Sequence, residues 1–178
     1  MQCMRGMLAR TRRGLLAFML VPALAGPMAT HATNQDAPTM KQATGTFTVT
    51  LAPMRDPDLP ADPAMGRMRL DKHYDGGLVA EAHGQMLTGM GGVPGSAAYV
   101  AVERVEGTLD GRKGAFLLVH RGLMRAGTPS LDIAIVPDSG SGALAGIHGT
   151  LGIRIVDGVH HYVLDYALAE APPAEKRP

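Results

Sequence analysis

Residues 99–120, YVAVERVEGTLDGRKGAFLLVH, decide the fold of this chain. Apolar and polar residues alternate on both sides of Asp110-Gly111, the period of a half-buried strand, and an Asp-Gly pair suits the two positive-φ positions of a type I′ hairpin turn. A two-residue turn pairs Leu109 with Arg112 and fixes every pair beyond it. Val105 then faces Phe116, Glu103 faces Leu118 and Ala101 faces His120, with Tyr99 on the same surface. The face that should be apolar therefore carries a carboxylate and an imidazole as diagonal neighbours within side-chain reach. Val102, Arg104, Glu106, Val119 and Arg121 take the opposite surface.

The same counting works at Asp157-Gly158, where Leu151, Ile153, Ile155, His160, Tyr162, Leu164 and Tyr166 share the inward face, and Arg154, His161 and Asp165 point away. At Asp75-Gly76-Gly77 a three-residue loop puts Met68, Leu70, Tyr74, Leu78, Ala80, Ala82 and Met86 inside. Arg69, Asp71, His73, Glu81 and His83 fall outside, whereas a two-residue loop would mix the faces. All four tyrosines, Tyr74, Tyr99, Tyr162 and Tyr166, land inward. A core built only for packing has no use for four hydroxyls, each wanting a partner when buried.

Working outward, short β-branched runs separated by glycine turns predict strands over 44–51, 66–75, 78–88, 97–109, 112–122, 129–137, 143–156 and 159–169, with no helical periodicity of useful length. The chain reads as all-β. Hairpin links between successive strands favour an eight-stranded antiparallel up-and-down barrel over a Greek-key sandwich. APMRDPDLPADPAMG and TGMGGVPG are the long connectors, and RAGT is a glycine-containing turn.

The first residues are a separate matter. Arg5, Arg10, Arg12 and Arg13 precede the apolar run GLLAFMLVPALAG, the pattern of a secretory signal peptide, so residues 1–32 read as a signal, with cleavage after Ala23-Leu24-Ala25 or, the site favoured here, after Thr30-His31-Ala32. The run is too short for a retained membrane span, which needs about 20 residues. The expected organisation is a signal over 1–32, a flexible segment over 33–41, a barrel domain over 42–169 and a disordered tail over 170–178. The product is exported, to the periplasm or the outside. Of 17 basic residues, four lie in the signal and all 16 acidic residues lie beyond it, so the exported part is weakly acidic. No basic stripe suggests nucleic acid. The lone cysteine, Cys3, is in the signal, which leaves the exported part without disulfide or thiol chemistry.

Other chemistries are poorly served. His160 and His161 point to opposite sides of a strand and no helical histidine pair or HxH spacing occurs, so no metal site is expected. Ser139 and Ser141 lack the glycine two places earlier that a nucleophile elbow requires, and the nearby glycines are followed by no phosphate-loop lysine. No cofactor is implied.

Four stretches, ATGTFTVTLAP, GSAAYVAVERVEGTLDGRKGAFLLVHRG, PDSGSGALAGIHGT and HHYVLDYAL, occur in an order that resembles the domain-of-unknown-function 3224 family over about residues 42 to 168. The resemblance implies a calycin-like barrel of the allene oxide cyclase type, eight antiparallel strands around a central cavity. It implies no activity and carries no catalytic residues across.

Three readings of function stand side by side. In the first, the barrel binds a small amphipathic molecule, with Tyr74, Tyr99, Phe116, Tyr162 and Tyr166 as ligand-binding walls with polar tips and Met54, Met65 and Met90 as an adaptable rim. A core packed solid is the bland form of the same barrel. In the second, Glu103 and His120 are the catalytic acid/base pair of an isomerase, cyclase or hydrolase, against the plainer role of a buried pair that fixes register. In the third, Val100, Val102, Val119 and Val136 form an outer surface for a second copy of the chain.

Overall fold

The computed structural model describes residues 39–55, 58 and 62–168, all of them strand, turn or loop. The segments expected as signal and tail lie outside those residues, as does position 169. Strands run β1 Lys41–Pro53, β2 Met65–Gly76, β3 Leu78–Met90, β4 Ala97–Leu109, β5 Arg112–Arg125, β6 Thr128–Ile135, β7 Ser141–Gly142, β8 Ile147–Val156 and β9 Val159–Leu168. Every pairing is antiparallel, and the order β4-β3-β2-β1-β9-β8-β6-β5, with β5 returning to β4, closes an eight-stranded up-and-down barrel. β7 is a two-residue addition on Gly114 and Ala115 of β5.

The turns do what their sequences dictate. Asp110 and Gly111 have φ of 46° and 80°, Asp157 and Gly158 have 51° and 79°, and both hairpins pair immediately outside their two central residues. RAGT is a turn of the same hand, with Ala126 at φ 46° and Gly127 at 86°, so β5 and β6 run to Arg125 and Thr128, further than their apolar runs suggest. At 75–77 the register pairs Tyr74 with Ala80, two residues further along β3 than a three-residue loop requires. An even shift keeps every side chain on its face. The expected strand 143–156 starts only at Ile147, because Gly142 and Gly146 take positive φ around a turn at 143–146.

One end of the barrel is the base. There the hydroxyl of Tyr162 accepts a hydrogen bond from the Leu78 backbone N–H at 2.8 Å, and the hydroxyl of Tyr166 donates to Asp110 at 2.6 Å. Two inward tyrosines thus tie β9 to the β2–β3 and β4–β5 turns. Leu144 of the connector after β6 and Ile147 at the start of β8 are buried in the core formed with Leu78, Leu109, Phe116 and Leu164. The opposite end, where the β3–β4 connection and the turns at 126–127 and 157–158 lie, is less covered. Ile155, inward by alternation, is 62% exposed there, because β6 and β8 pair only at Ala134 and Thr150.

An alanine in the left-handed region is strained relative to asparagine, which tolerates it. Ala126→Asn should therefore raise stability by about 0.5–1 kcal/mol, read as a higher urea midpoint at unchanged slope.

Candidate functional site

The pairings set inward residues side by side in successive tiers. Inward of the rim row of Met90, Ala97, Met124 and Pro129, one tier holds Gly66, Thr88, Tyr99, Gly122 and Leu131; the next holds Met68, Met86, Ala101, His120 and Ile133. Below them come Leu70, Gly84, Glu103, Leu118 and Ile135, and then Lys72, Ala82, Val105 and Phe116. Glu103 sits on a middle tier with a cation beneath it and an imidazole above.

Glu103 is fully buried and its Oε1 is the hub of a polar cluster. Lys72 Nζ donates to it at 3.0 Å, the Tyr74 hydroxyl at 2.9 Å, and His120 Nε2 lies 3.1 Å away, where a carboxylate requires that nitrogen to be the donor. Lys72 Nζ also donates to the Tyr74 oxygen at 3.2 Å and stands 5.0 Å from the centre of the Phe47 ring, a cation–π contact. Phe47 in turn packs on Tyr74 and His160 with ring centres 5.3 and 4.9 Å apart. Glu103 Oε2 is buried, and no donor among the described residues reaches it.

Burial raises the carboxyl pKa of Glu103, but the His120 hydrogen bond and the Lys72 charge outweigh it and hold the group below its ordinary 4.5. Burial lowers the pKa of Lys72, and the charge of Glu103 opposes the change only in part. Tyr74 is pushed far up by burial and by the adjacent carboxylate, so its hydroxyl stays a donor. Tyr166 is pushed up to about 12 by burial and its bond to Asp110.

The sequence pairing of Glu103 with His120 is the one the structure brings together. Lys72 is the member that reasoning passed over. It lies on the inward alternation between Leu70 and Tyr74, yet the sequence reading assigned it to neither face.

A cavity of about 270 Å³ lies at the less covered end, lined chiefly by Met86, Met90, Tyr99, Met124, Pro129 and Leu131. The Tyr99 ring lies over Gly122, where an added Cβ would collide with the ring carbons. Of the five aromatic residues expected to hold a ligand, Tyr99 lines this mouth. Tyr74 belongs to the ionic cluster, Phe116 to the core, and Tyr162 and Tyr166 to the base. Met90 also lines it, while Met54 and Met65 do not.

A larger groove of about 700 Å³ lies on the outer surface over Leu87, Val100, Val102, Leu117 and Val119, between Arg67 and Arg104. It includes three of the four outward valines read as an interaction surface; Val136 is elsewhere. Arg104 is paired with Glu106, and no buried polar group converges on the groove. On that surface His83 meets Asp71 at 2.8 Å and His73 meets Glu81 at 2.6 Å, both in water. No cluster of three or more metal-ligating residues occurs among the described residues.

A family model described as "Protein of unknown function (DUF3224)" matches residues 43–166. No curated protein matches the chain. Among solved structures, a DUF3224-family protein of unknown function from Shewanella oneidensis MR-1 is similar, at 42% identity and a TM-score of 0.70 over 75% of this chain and all of that one.

Glu103→Gln leaves Lys72 buried without a counter-charge and should destabilise the fold by about 3–5 kcal/mol. Combined with Lys72→Met the loss should be smaller than the two single losses added, a coupling of about 0.5–3 kcal/mol in urea unfolding. Because the Glu103 pKa is depressed, its contribution is present above 4.5 and is lost as pH falls through the lower folded value. Wild type should therefore lose stability over that acid range more steeply than Glu103→Gln.

Proposed function

This chain belongs to the DUF3224 family, and we propose that its barrel binds one small amphipathic molecule at the mouth. The apolar part of the molecule lies among Met86, Met90, Met124 and Leu131, and its polar part faces Tyr99 and the His120–Glu103 cluster below. The observation that carries this reading is that the cavity-lining Tyr99 and Gly122 are followed inward along β4 and β5 by the buried Glu103 and His120. Binding sites for small molecules combine mainly apolar walls with a few fixed polar groups, and this end of the barrel has both. Its volume, near the lower end of the ~300–1,000 Å³ usual for such sites, argues for a small occupant. Unbranched methionines let the walls adapt to shape.

The enzymatic alternative rests on the 3.1 Å contact between Glu103 and His120. A general base works best with a pKa near the operating pH, and the forces on Glu103 pull its pKa the other way. Three neighbours already occupy the same oxygen. Binding is therefore the better account of the cluster. The basic and apolar segment over 1–32 supports an exported location for the protein.

Protein purified from its own host should carry a small-molecule adduct in native mass spectrometry. Leu131→Arg, which places a long charged side chain in the mouth at an exposed position, should lose the adduct and keep the β-sheet circular dichroism. Repeatedly adduct-free wild-type protein would count against the pocket.

A further inference from the structure

Resting on that mouth pocket, we propose that the occupant is an alcohol whose hydroxyl donates a hydrogen bond to Oε2 of Glu103. Oε1 already serves Lys72, Tyr74 and His120, whereas Oε2 is the buried side-chain atom that no donor among the described residues satisfies. A buried, ionised oxygen without a donor leaves its desolvation uncompensated, and a ligand hydroxyl supplies what is missing. The side chains between mouth and carboxylate suit such a reach. On β4 the inward residue between Tyr99 and Glu103 is Ala101, a single methyl group, and its β3 partner is Met86, flexible and itself part of the mouth lining. On the other side His120, the β5 partner of Ala101, is held by its bond to Oε1 and forms a fixed wall.

The acceptor also selects among head groups. A carboxylate would set acceptor against acceptor and anion against anion. An ammonium would bring a second cation into the barrel that already buries Lys72. A hydroxyl donates one bond and adds no charge, while its methyl ether keeps the alkyl chain and cannot donate.

The test is displacement of Nile red from the full chain by 1-octanol, methyl octyl ether, octylamine and octanoate. Only the signal that Leu131→Arg removes is counted, so dye on the outer groove does not enter. The alcohol should act at about tenfold lower concentration than the ether, as befits a bond to a charged acceptor, and the two ionic amphiphiles should be weaker still. Glu103→Asp keeps the charge and draws the oxygens back by one methylene, and should close the gap between alcohol and ether. An ether as effective as the alcohol, an octanoate that competes best, or a preference untouched in a folded Glu103→Asp protein overturns the hydroxyl assignment and leaves the pocket standing. If no amphiphile displaces dye from the mouth, the pocket itself falls and the assignment with it.

Discussion

The hydrogen bonds gathered on one carboxylate oxygen organise the interior of this barrel. Lys72 and Tyr74 reach Glu103 from β2, yet β3 lies between β2 and β4 in the sheet. The reach is possible because β3 turns Ala80, Ala82 and Gly84 inward along that stretch. Gly84 stands directly between Leu70 and Glu103, and a Cβ there would come 2.8 Å from Glu103 Cα and Cβ. Small side chains on one strand thus make the space in which a cation and a phenol from the next strand meet an anion on the third. Taking both charges out of water costs several kcal/mol per ion, and only good geometry with further hydrogen bonds offsets it. The cluster is consequently a weak source of net stability and a strong constraint on how β2, β4 and β5 sit together.

The turns explain why part of this was legible beforehand. A two-residue Asp-Gly turn leaves no freedom in register, so 110–111 placed Glu103 beside His120 from the sequence alone. At 75–77 the loop was longer in register than expected, but the difference was even and the faces survived. Lys72 was missed because hydropathy alternation gives no reason to place a lysine inward, and nothing local announces that β3 is hollowed out beside it. The strand expected at 143–156 failed at its start for a local reason: Gly142 and Gly146 break the extended backbone that the apolar residues around them suggest. The mouth was not legible either, since its lining joins residues from successive tiers of β3, β4, β5 and β6, and that alignment exists only after several registers are combined.

The inward tyrosines show how one chemical type takes different roles by depth. Tyr162 and Tyr166 spend their hydroxyls on turn backbone and Asp110 at the base, where burial and a nearby carboxylate keep them protonated. Tyr74 donates its hydrogen bond to the hub. Tyr99 alone among them is half-buried, stands at the mouth and feels the charge of Glu103, with burial and that charge together raising its pKa. Polarity thus changes from hydroxyls that close the base, through ions in the middle, to methionines at the rim.

The β2–β3 hairpin carries acid–base pairs on both of its faces, and solvent separates their meaning. Outside, Asp71 with His83 and His73 with Glu81 face water, where screening makes such pairs weak contributors. Their partners raise the pKa of His73 through the Glu81 hydrogen bond and charge, and lower that of Asp71 through its bond to His83. These pairs add little to how the strands hold together, and their strength falls with salt. Inside, one residue further along the same strand than Asp71, Lys72 meets a carboxylate shielded from water, where charge interactions persist and an unsatisfied oxygen matters. The surface histidines meet their carboxylates in water, whereas Glu103 is held through Oε1 by three buried neighbours while no donor among the described residues reaches its Oε2.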